Sequence, residues 1–354
     1  MSAHRRVLVR APNWLGDIVM SLPALMAVRS HFPDAALAVA APAGLAAFYK
    51  AVAGVDEIVA LPAAGGWRSL SAHAAALKAG RFDLVVLFTN SFSTAWVARR
   101  AGVPERWGYR RDARGFLLTR AVSRRGTDAP ASRHHSDYYR RLVEALGMPA
   151  GSGLPPLAIP STWRDRADAL LVNLGVVASR PLVGIAPGAA YGGAKRWPPA
   201  RVAAVIDRLV RETESTCLLL GAQGDRATGH AVESALGSFS RDAQAAGRFV
   251  NAIGRTDLPV LMGLVGKCRA FLSNDSGAMH VAGALGVPVT ALFGPTDERA
   301  TSPLGASRVL TAQVFCRPCH LRECPIDHRC MLSIDPDLVF ASVVDHLRRP
   351  EEVT

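Results

Sequence analysis

The sequence predicts an α/β protein built from two domains, each with a parallel β-sheet. Short apolar segments alternate with helical segments through most of the chain, which is the pattern of βα units. A stretch rich in glycine and proline, residues 147–160, separates two such series. The length of 354 residues is sufficient for two hydrophobic cores. We therefore predict domains over residues 1–150 and 151–335, followed by a C-terminal helix over residues 336–354 that packs back on the first domain.

The first series begins with a strand at Val7–Arg10 and a loop over residues 11–17. A helix is predicted from about Ile18 to Ser30, because apolar residues recur there at helical spacing. Further strands of this half are predicted at Leu37–Ala41, Glu57–Leu61, Leu84–Phe88 and just before Gly108.

The loop after the first strand is a candidate ligand site. Asp17 stands at a helix start beyond the carboxyl end of a strand, which is where open α/β sheets bind ligands. A helix-capping role alone would explain Asp17, but it would not explain Asn13, Trp14 and Gly16 directly before it. An exposed indole generally covers something, so Asn13, Trp14 and Gly16 are candidate ligand-binding residues.

Positive charge is concentrated in the first half. Residues 1–150 contain 20 Lys and Arg against 10 Asp and Glu, whereas residues 151–354 contain 21 against 19. The excess lies mainly between Arg99 and Arg141, and includes Arg124, Arg125 and Arg133. Such a field indicates an anionic partner, although a solvated arginine-rich surface would have the same composition. The anionic partners compatible with it are nucleic acid, an acidic membrane surface and a phosphorylated substrate, and Arg110, Arg111 and Arg114 are candidate contacts.

The second series has predicted strands whose following loops all leave one edge of a parallel sheet, so their polar residues should converge. The strands are Leu182–Ala186, Thr216–Leu220, Phe249–Asn251, Ala270–Ser273 and Val287–Phe293.

Two of these loops have the composition of a diphosphate site. Free backbone N–H groups at the helix start around Ser276 and Gly277 favour a phosphate, and His280 lies one turn into the helix. Opposite them, a loop with Gly188, Lys195 and Arg196 supplies flexibility and positive charge. Neither a Walker A lysine pattern nor a Rossmann glycine fingerprint is present, which disfavours an NTPase or a dehydrogenase.

Four motifs together make the sequence resemble the ADP-heptose:lipopolysaccharide heptosyltransferases of glycosyltransferase family 9. They are residues 10–17 (RAPNWLGD), residues 187–198 with Pro187-Gly188-Ala189 and Ala194-Lys195-Arg196-Trp197-Pro198, residues 274–280 with Asn274-Asp275-Ser276-Gly277 and His280, and Phe293-Gly294-Pro295-Thr296. The likeness covers essentially the whole chain in the same order.

The resemblance implies the GT-B type of fold, two facing Rossmann-like domains with the acceptor on the first and the nucleotide-sugar on the second. It implies an inverting, metal-independent transfer of heptose from ADP-heptose onto the first heptose of the inner core, carried on Kdo2-lipid A. By the same resemblance Asp17 is the catalytic base and Lys195 holds the donor phosphates. With the acceptor on the first domain, the acceptor-binding set is Asn13, Trp14, Gly16, Arg110, Arg111 and Arg114. The donor-binding set is Gly188, Lys195, Arg196, Gln223, Asp275, Ser276, Gly277 and His280.

The C-terminal region contains a cysteine-rich segment, Cys316-x2-Cys319-x4-Cys324-x5-Cys330. Thiols at this spacing could hold a structural metal. A thiol-rich loop that packs without metal is the alternative. The segment is far along the chain from the other motifs, so we assign it no catalytic role, and no cofactor is expected for catalysis.

The remaining expectations concern location and alternatives. No apolar run is long enough to span a bilayer and no signal peptide is apparent. We therefore expect a cytoplasmic protein at the inner face of the inner membrane, with heptosyl-Kdo2-lipid A as its partner and no nucleic acid. One alternative is a heptosyltransferase for another core position. A nucleotide-sensing RNA-binding protein is a further alternative, disfavoured because no RNA-binding module signature appears.

Overall fold

The computed structural model describes residues 4–63, 66–123, 134–151, 153–176 and 179–348. The chain divides into two units, Met1–Ala158 and Ile159–Thr354. The division lies a few residues beyond the predicted boundary, because residues after Gly151 still pair with the first unit. Val52 forms an antiparallel bridge with Leu157, and the Ala158 N–H donates to the Ala51 carbonyl at 2.8 Å.

The first unit contains a parallel sheet with six strands among the described residues. Their order is β3-β2-β1-β4-β5-β6, which is the strand order of a Rossmann fold. The central strands β1 and β4 are almost entirely buried, as expected of strands covered by helices on both faces. The strands are β1 Arg6–Arg10, β2 Ala36–Pro42, β3 Glu57–Leu61, β4 Leu84–Leu87, β5 Glu105–Tyr109 and β6 Arg120–Val122.

The helix predicted over Ile18–Ser30 is two helices, α1 Leu15–Met20 and α2 Leu22–His31, that meet at Ser21. Pro23 cannot donate a backbone hydrogen bond, so it favours a new start rather than a helix interior. The first helix begins earlier than predicted, which places Asp17 inside its first turn. The other helices of this unit are α3 Ala43–Ala46, α4 Gly66–Ala79, α5 Phe92–Arg100 and α6 His135–Ala145.

The second unit repeats the same sheet topology, again with six described parallel strands in the order β12-β11-β10-β7-β8-β9. The interior strands β7 and β11 are wholly buried. The strands are β7 Leu182–Ala186, β8 Thr216–Leu219, β9 Phe249–Asn251, β10 Cys268–Asn274, β11 Val289–Phe293 and β12 Ser307–Thr311. The predicted α/β class with two parallel sheets is confirmed.

The helices of the second unit include the C-terminal one, which had been expected to pack back on the first domain. It packs on a helix and two strands of the second sheet, where Val339 and Val343 enter the hydrophobic core, and the expected contact with the first domain stays a prediction. The helices are α7 Ser161–Asn173, α8 Pro199–Glu212, α9 Arg226–Ala235, α10 Ser238–Ala245, α11 Leu258–Val265, α12 Gly277–Ala284, α13 Glu298–Thr301, α14 Arg329–Leu332 and α15 Pro336–Arg348. The partners of α15 are α8, β10 and β11.

Candidate active site

Asp17 lies at the carboxyl edge of the first sheet, in the first turn of α1. Its Oδ1 is 3.2 Å from Nδ1 of His135, the first residue of α6. Both side chains are partly exposed, so the carboxylate remains accessible to a ligand. Burial raises the pKa of Tyr139 on the same helix, and the nearby charge of Asp17 adds to the rise. The structure therefore pairs the predicted base with a histidine to which the sequence analysis had assigned no role.

Before α1, the connection from β1 exposes Asn13 and Trp14. The Trp14 indole is 58% exposed, and Gly16 is partly exposed within α1. Asn13 Oδ1 accepts a hydrogen bond from Arg10 Nη2 at 2.7 Å. Asn13, Trp14 and Gly16 are thus presented on the accessible side of the β1–α1 connection, and their contact with an acceptor stays a prediction.

The three arginines predicted to bind the acceptor, Arg110, Arg111 and Arg114, do not lie on one exposed surface. Arg110 and Arg111 are exposed, whereas Arg114 is fully buried and cannot belong to an exposed patch. Arg114 Nε donates to the Tyr109 carbonyl at 3.0 Å, and Nη1 donates to the Thr89 carbonyl at 2.5 Å. It therefore ties the end of β5 to the loop after β4. The other patch members Arg124, Arg125 and Arg133 lie outside the described residues.

Replacing Arg114 by methionine is expected to lower the thermal unfolding midpoint. The change leaves the Thr89 carbonyl without the Arg114 donor, at a cost of roughly 1–3 kcal/mol, while the Tyr109 carbonyl keeps the Arg111 N–H as a donor. Burial already lowers the pKa of Arg114 to about 10, which is the sign of a guanidinium held away from water. Calorimetry on the Arg114→Met and Arg110→Met variants gives the measurement, with Arg110→Met expected to unfold like the wild type. Equal midpoints for wild type and Arg114→Met would contradict the bracing role.

Lys195 and Asp275 form a buried ion pair at the carboxyl edge of the second sheet. Lys195 Nζ lies 2.6 Å from Asp275 Oδ2, and the two side chains are 13% and 6% exposed. Thr296 Oγ1 donates to the same oxygen at 2.7 Å. The Lys195 ammonium also lies 4.8 Å from the centre of the Tyr191 ring, within range of a cation–π contact. The loops that carry Lys195, Asp275 and Thr296 therefore meet here, as predicted for loops at one edge of the sheet. Thr296, which was not in the predicted donor-binding set, contributes its hydroxyl to this site.

Asn274 fixes both ends of the loop that carries Lys195. Its Nδ2 donates to the Pro187 carbonyl at 2.7 Å, and its Oδ1 accepts from the Trp197 N–H at 3.3 Å. Since Asn274 is buried, these bonds are shielded from water and hold the loop against β10.

The helix start after Asp275 has the predicted form. Ser276 is the N-cap of α12, Gly277 is its first residue, and His280 is buried inside its first turn. The Ser276 hydroxyl lies 3.0 Å from that of Ser273. The side chain of Ser276 makes no capping bond to the helix backbone, so the terminal N–H groups of α12 are not capped by that hydroxyl.

The remaining predicted donor residues lie around Asp225. A Cβ at Gly188 would come within 2.3 Å of the Asp225 carboxylate, so only glycine permits this approach. Arg196 Nη2 is 3.8 Å from Asp225 Oδ1. Gln223 is exposed two residues earlier, at the start of the 3-10 turn Gln223–Asp225. Asp225 is therefore the acidic residue of this loop that reaches the Lys195 loop, and the sequence analysis had not assigned it.

The cysteine-rich segment packs directly on the Lys195 loop, although it is distant in sequence. The Gly193 N–H donates to Glu323 Oε1 at 2.9 Å, and the Ala194 N–H donates to the Arg322 carbonyl at 2.9 Å. His328 Nε2 is 2.7 Å from the Ala194 carbonyl oxygen. Residues 316–330 therefore support the loop that carries Lys195, a structural role that their position in the sequence did not indicate.

The four cysteines of this segment are all free thiols. Burial raises the pKa of Cys330, and Cys316 is the next largest cause. Cys319 is exposed, and Cys324 Sγ accepts from the His328 N–H at 3.3 Å. Among the described residues, no three His, Cys, Asp or Glu side chains are grouped so that they could hold a metal ion. A structural metal on Cys316, Cys319, Cys324 and Cys330 stays a prediction.

The chain is similar to known heptosyltransferases. The profile of glycosyltransferase family 9 (heptosyltransferase) matches residues 70–329. Lipopolysaccharide heptosyltransferase 2 of Salmonella typhimurium is 32% identical over 306 residues, which is 84% of this chain and 85% of that protein. The Escherichia coli protein of the same name is 30% identical over 84% and 85% of the two chains.

The chain is also similar to solved structures of family 9 glycosyltransferases. The structure of the E. coli ADP-heptose lipopolysaccharide heptosyltransferase II has a TM-score of 0.80 and 28% identity, and the match covers 97% of this chain and 98% of that one. A glycosyl transferase of family 9 from Veillonella parvula has a TM-score of 0.81 at 23% identity over 97% of both chains, which supports the fold alone. The likeness to the E. coli structure confirms the assignment of the fold to the GT-B type.

Proposed function

Since the chain belongs to glycosyltransferase family 9, the heptosyltransferases, we propose that it transfers heptose from ADP-heptose onto the first heptose of the lipopolysaccharide inner core. The observation that carries the proposal is the similarity over most of the chain to proteins named heptosyltransferase 2. The motifs that support it lie at the carboxyl edges of the two sheets, the usual ligand-binding edge of such folds. A transfer to another core position is the second candidate.

Asp17 acts as the base in this proposal. An inverting transfer needs a group that removes the proton from the acceptor hydroxyl as its oxygen attacks the anomeric carbon. The Asp17 carboxylate is accessible and is contacted on one side by His135. That contact leaves Oδ2 for the acceptor hydroxyl and limits rotation of the carboxylate. His135 is then a positioning residue for Asp17.

Lys195 and its neighbours stabilise the departing ADP. Negative charge grows on the diphosphate in an oxocarbenium-like transition state, so fixed positive groups lower the barrier. Lys195 is held by Asp275 and Tyr191, and the start of α12 adds backbone N–H groups. Arg196 Nε is buried and has no hydrogen-bond partner among the described residues, as expected for a donor group that a phosphate oxygen would satisfy.

Release of ADP from ADP-heptose in the presence and absence of heptosylated Kdo2-lipid A tests the proposal. We expect ADP release to depend on the acceptor and to match the amount of heptose transferred. Release at the same rate without any acceptor would indicate a hydrolase and would contradict a transferase.

We further propose that the protein works at the cytoplasmic face of the inner membrane. No helix within the described ranges is long and apolar enough to cross a bilayer. The acceptor carries carboxylates and lipid phosphates, so exposed arginines such as Arg110 and Arg111 would attract it and the anionic surface around it.

The Arg110→Gln, Arg111→Gln double variant is expected to raise the apparent acceptor KM by roughly ten- to thirtyfold at low salt, at about 1 kcal/mol for each arginine. Its acceptor KM should also depend less on ionic strength, because fewer exposed charges remain to be screened. Initial rates at several salt concentrations provide the measurement. Arg164→Gln, an exposed arginine of the second unit, is the matched control and should behave as the wild type. An unchanged KM in the double variant would make Arg110 and Arg111 solvated side chains without a role in recruitment.

A further inference from the structure

A cavity of about 290 Å³ lies within the first unit, at the carboxyl edge of its sheet. This volume is at the lower end of the range of small-molecule sites, roughly 300–1,000 Å³, and suits one sugar residue better than a disaccharide. One wall comes from β3 and α4 and is mainly apolar, with Leu61, Leu70 and Leu77, and it includes the buried His73, whose Nε2 is hydrogen-bonded to the Pro62 carbonyl. The facing wall is polar and comes from the start of α5, with Ser91, Ser93 and Thr94.

Arg10 lines this cavity, yet it is only 7% exposed. Its guanidinium donates to the carbonyls of Ala11 and Ala40 and to the Asn13 side chain. Within the described parts of the chain, no carboxylate lies within ion-pair distance of Arg10. Tyr49 is a titratable neighbour that interacts electrostatically with Arg10, and burial raises the pKa of Tyr49 well above the usual value, so it remains a neutral phenol.

Such a charge is costly unless a ligand compensates it. Burial lowers the pKa of Arg10 to about 10, so the guanidinium is still protonated near pH 7. Carbonyl and amide oxygens satisfy its hydrogen bonds, but they do not neutralise its charge, and an uncompensated buried charge is strongly unfavourable. A purely structural arginine that links Ala11 and Ala40 would require no cavity beside it. The cavity provides space for an anionic ligand beside the Arg10 guanidinium.

We propose that this cavity binds the carboxylate-bearing sugar of the acceptor, with Arg10 as the partner of the carboxylate. The polar wall then faces the sugar hydroxyls and the apolar wall covers a ring face, which is the usual composition of a small polar-ligand site. Arg10 and Asn13 belong to the same β1–α1 connection as Asp17, so a sugar bound here would be placed by the loop that carries the base. The inference rests on the proposed function, since it names the group of that acceptor that is recognised.

Equilibrium binding of two lipid-free, phosphate-free saccharides tests the site. One is heptosyl-Kdo with its carboxylate intact, and the other is its methyl ester, which has the same shape without the charge. We expect the wild type to bind the acid roughly 10- to 100-fold more tightly than the ester, the scale of a charge-assisted hydrogen bond. In Arg10→Gln this preference should largely disappear, whereas Arg10→Lys should retain part of it, because the charge remains but the paired donors are lost.

A second variant tests the cavity while leaving Arg10 and its hydrogen bonds to the backbone unchanged. Leu70→Trp fills the cavity from the opposite wall and should weaken binding of acid and ester alike by tenfold or more. Ala75→Trp, on an exposed position of the same helix, is the matched control and should leave both affinities unchanged. Thermal unfolding of each variant establishes that it is folded.

The outcomes separate this inference from the proposed function. Loss of the acid preference in Arg10→Gln together with weak binding in Leu70→Trp supports the subsite. An acid preference that survives in Arg10→Gln, or normal binding by Leu70→Trp, overturns it. Failure of the wild type to transfer heptose to an intact acceptor would instead overturn the proposed function, and it is measured independently of these affinities.

Discussion

Asp17→Asn is expected to reduce heptose transfer by roughly 10²–10⁴-fold, the usual scale for removing a positioned base. Asparagine has nearly the same shape as aspartate but cannot take the proton of the acceptor hydroxyl. The donor-binding loops belong to the second unit, so the affinity for ADP-heptose should remain close to that of the wild type. Single-turnover rates combined with donor titrations distinguish the two effects.

His135→Gln is the companion variant. Glutamine can still contact Asp17 but lacks the imidazole ring that holds the carboxylate, so we expect a smaller loss of turnover than in Asp17→Asn. The double variant should be no slower than Asp17→Asn alone, because a positioning residue has no function once the base is absent. Full activity of Asp17→Asn would remove this carboxylate from the mechanism.

Lys195→Ala is expected to have the largest effect on the donor side. Loss of a charge-assisted bond to the diphosphate should raise the dissociation constant of ADP-heptose by roughly 10- to 100-fold. The transfer rate at saturating donor should fall as well, since the same charge stabilises the departing ADP. Donor titration followed by single-turnover measurement at saturation separates the two losses.

Lys195→Ala also removes the ion pair with Asp275, so the variant should lose stability as well as donor affinity. Removal of Lys195 leaves a buried carboxylate with Thr296 as its remaining side-chain partner, and such stranded charges cost roughly 3–5 kcal/mol of stability. Adding Asp275→Asn should therefore restore much of the thermal stability without restoring donor affinity. The Asp275→Asn single variant measures how much the Asp275 side chain itself contributes to the affinity for ADP-heptose. Recovery of donor affinity together with stability in the double variant would show that Lys195 only maintains the fold.

Much of the fold follows from the sequence because buried parallel strands are short apolar runs between turn residues. The strands Leu182–Ala186 and Phe249–Asn251 have the predicted bounds. The edge strands β6 and β12 were missed, since their residues are mostly partly exposed and lack such a run. The break at Ser21 was missed because the apolar spacing continues through it.

The parts of the site that follow from the topology of the parallel sheet were predictable. Loops that follow parallel strands share an edge, and this brings Lys195 to Asp275. Contacts that depend on tertiary packing were not predictable in this way. His135 reaches Asp17 because α6 packs on α1, and Arg114 is buried although arginine is rarely so. Glu323 reaches Gly193 across 130 residues of sequence, and no spacing rule indicates such a contact.

Mass analysis of the product with two acceptors tests the central claim most directly. The protein is supplied with ADP-heptose and either Kdo2-lipid A or the same lipid carrying its first heptose. We predict that one heptose is added to the heptosylated lipid, with an equal amount of ADP released, and that none is added to the unsubstituted lipid. Addition of heptose to the unsubstituted lipid, or ADP release without a heavier product on either, would contradict the account.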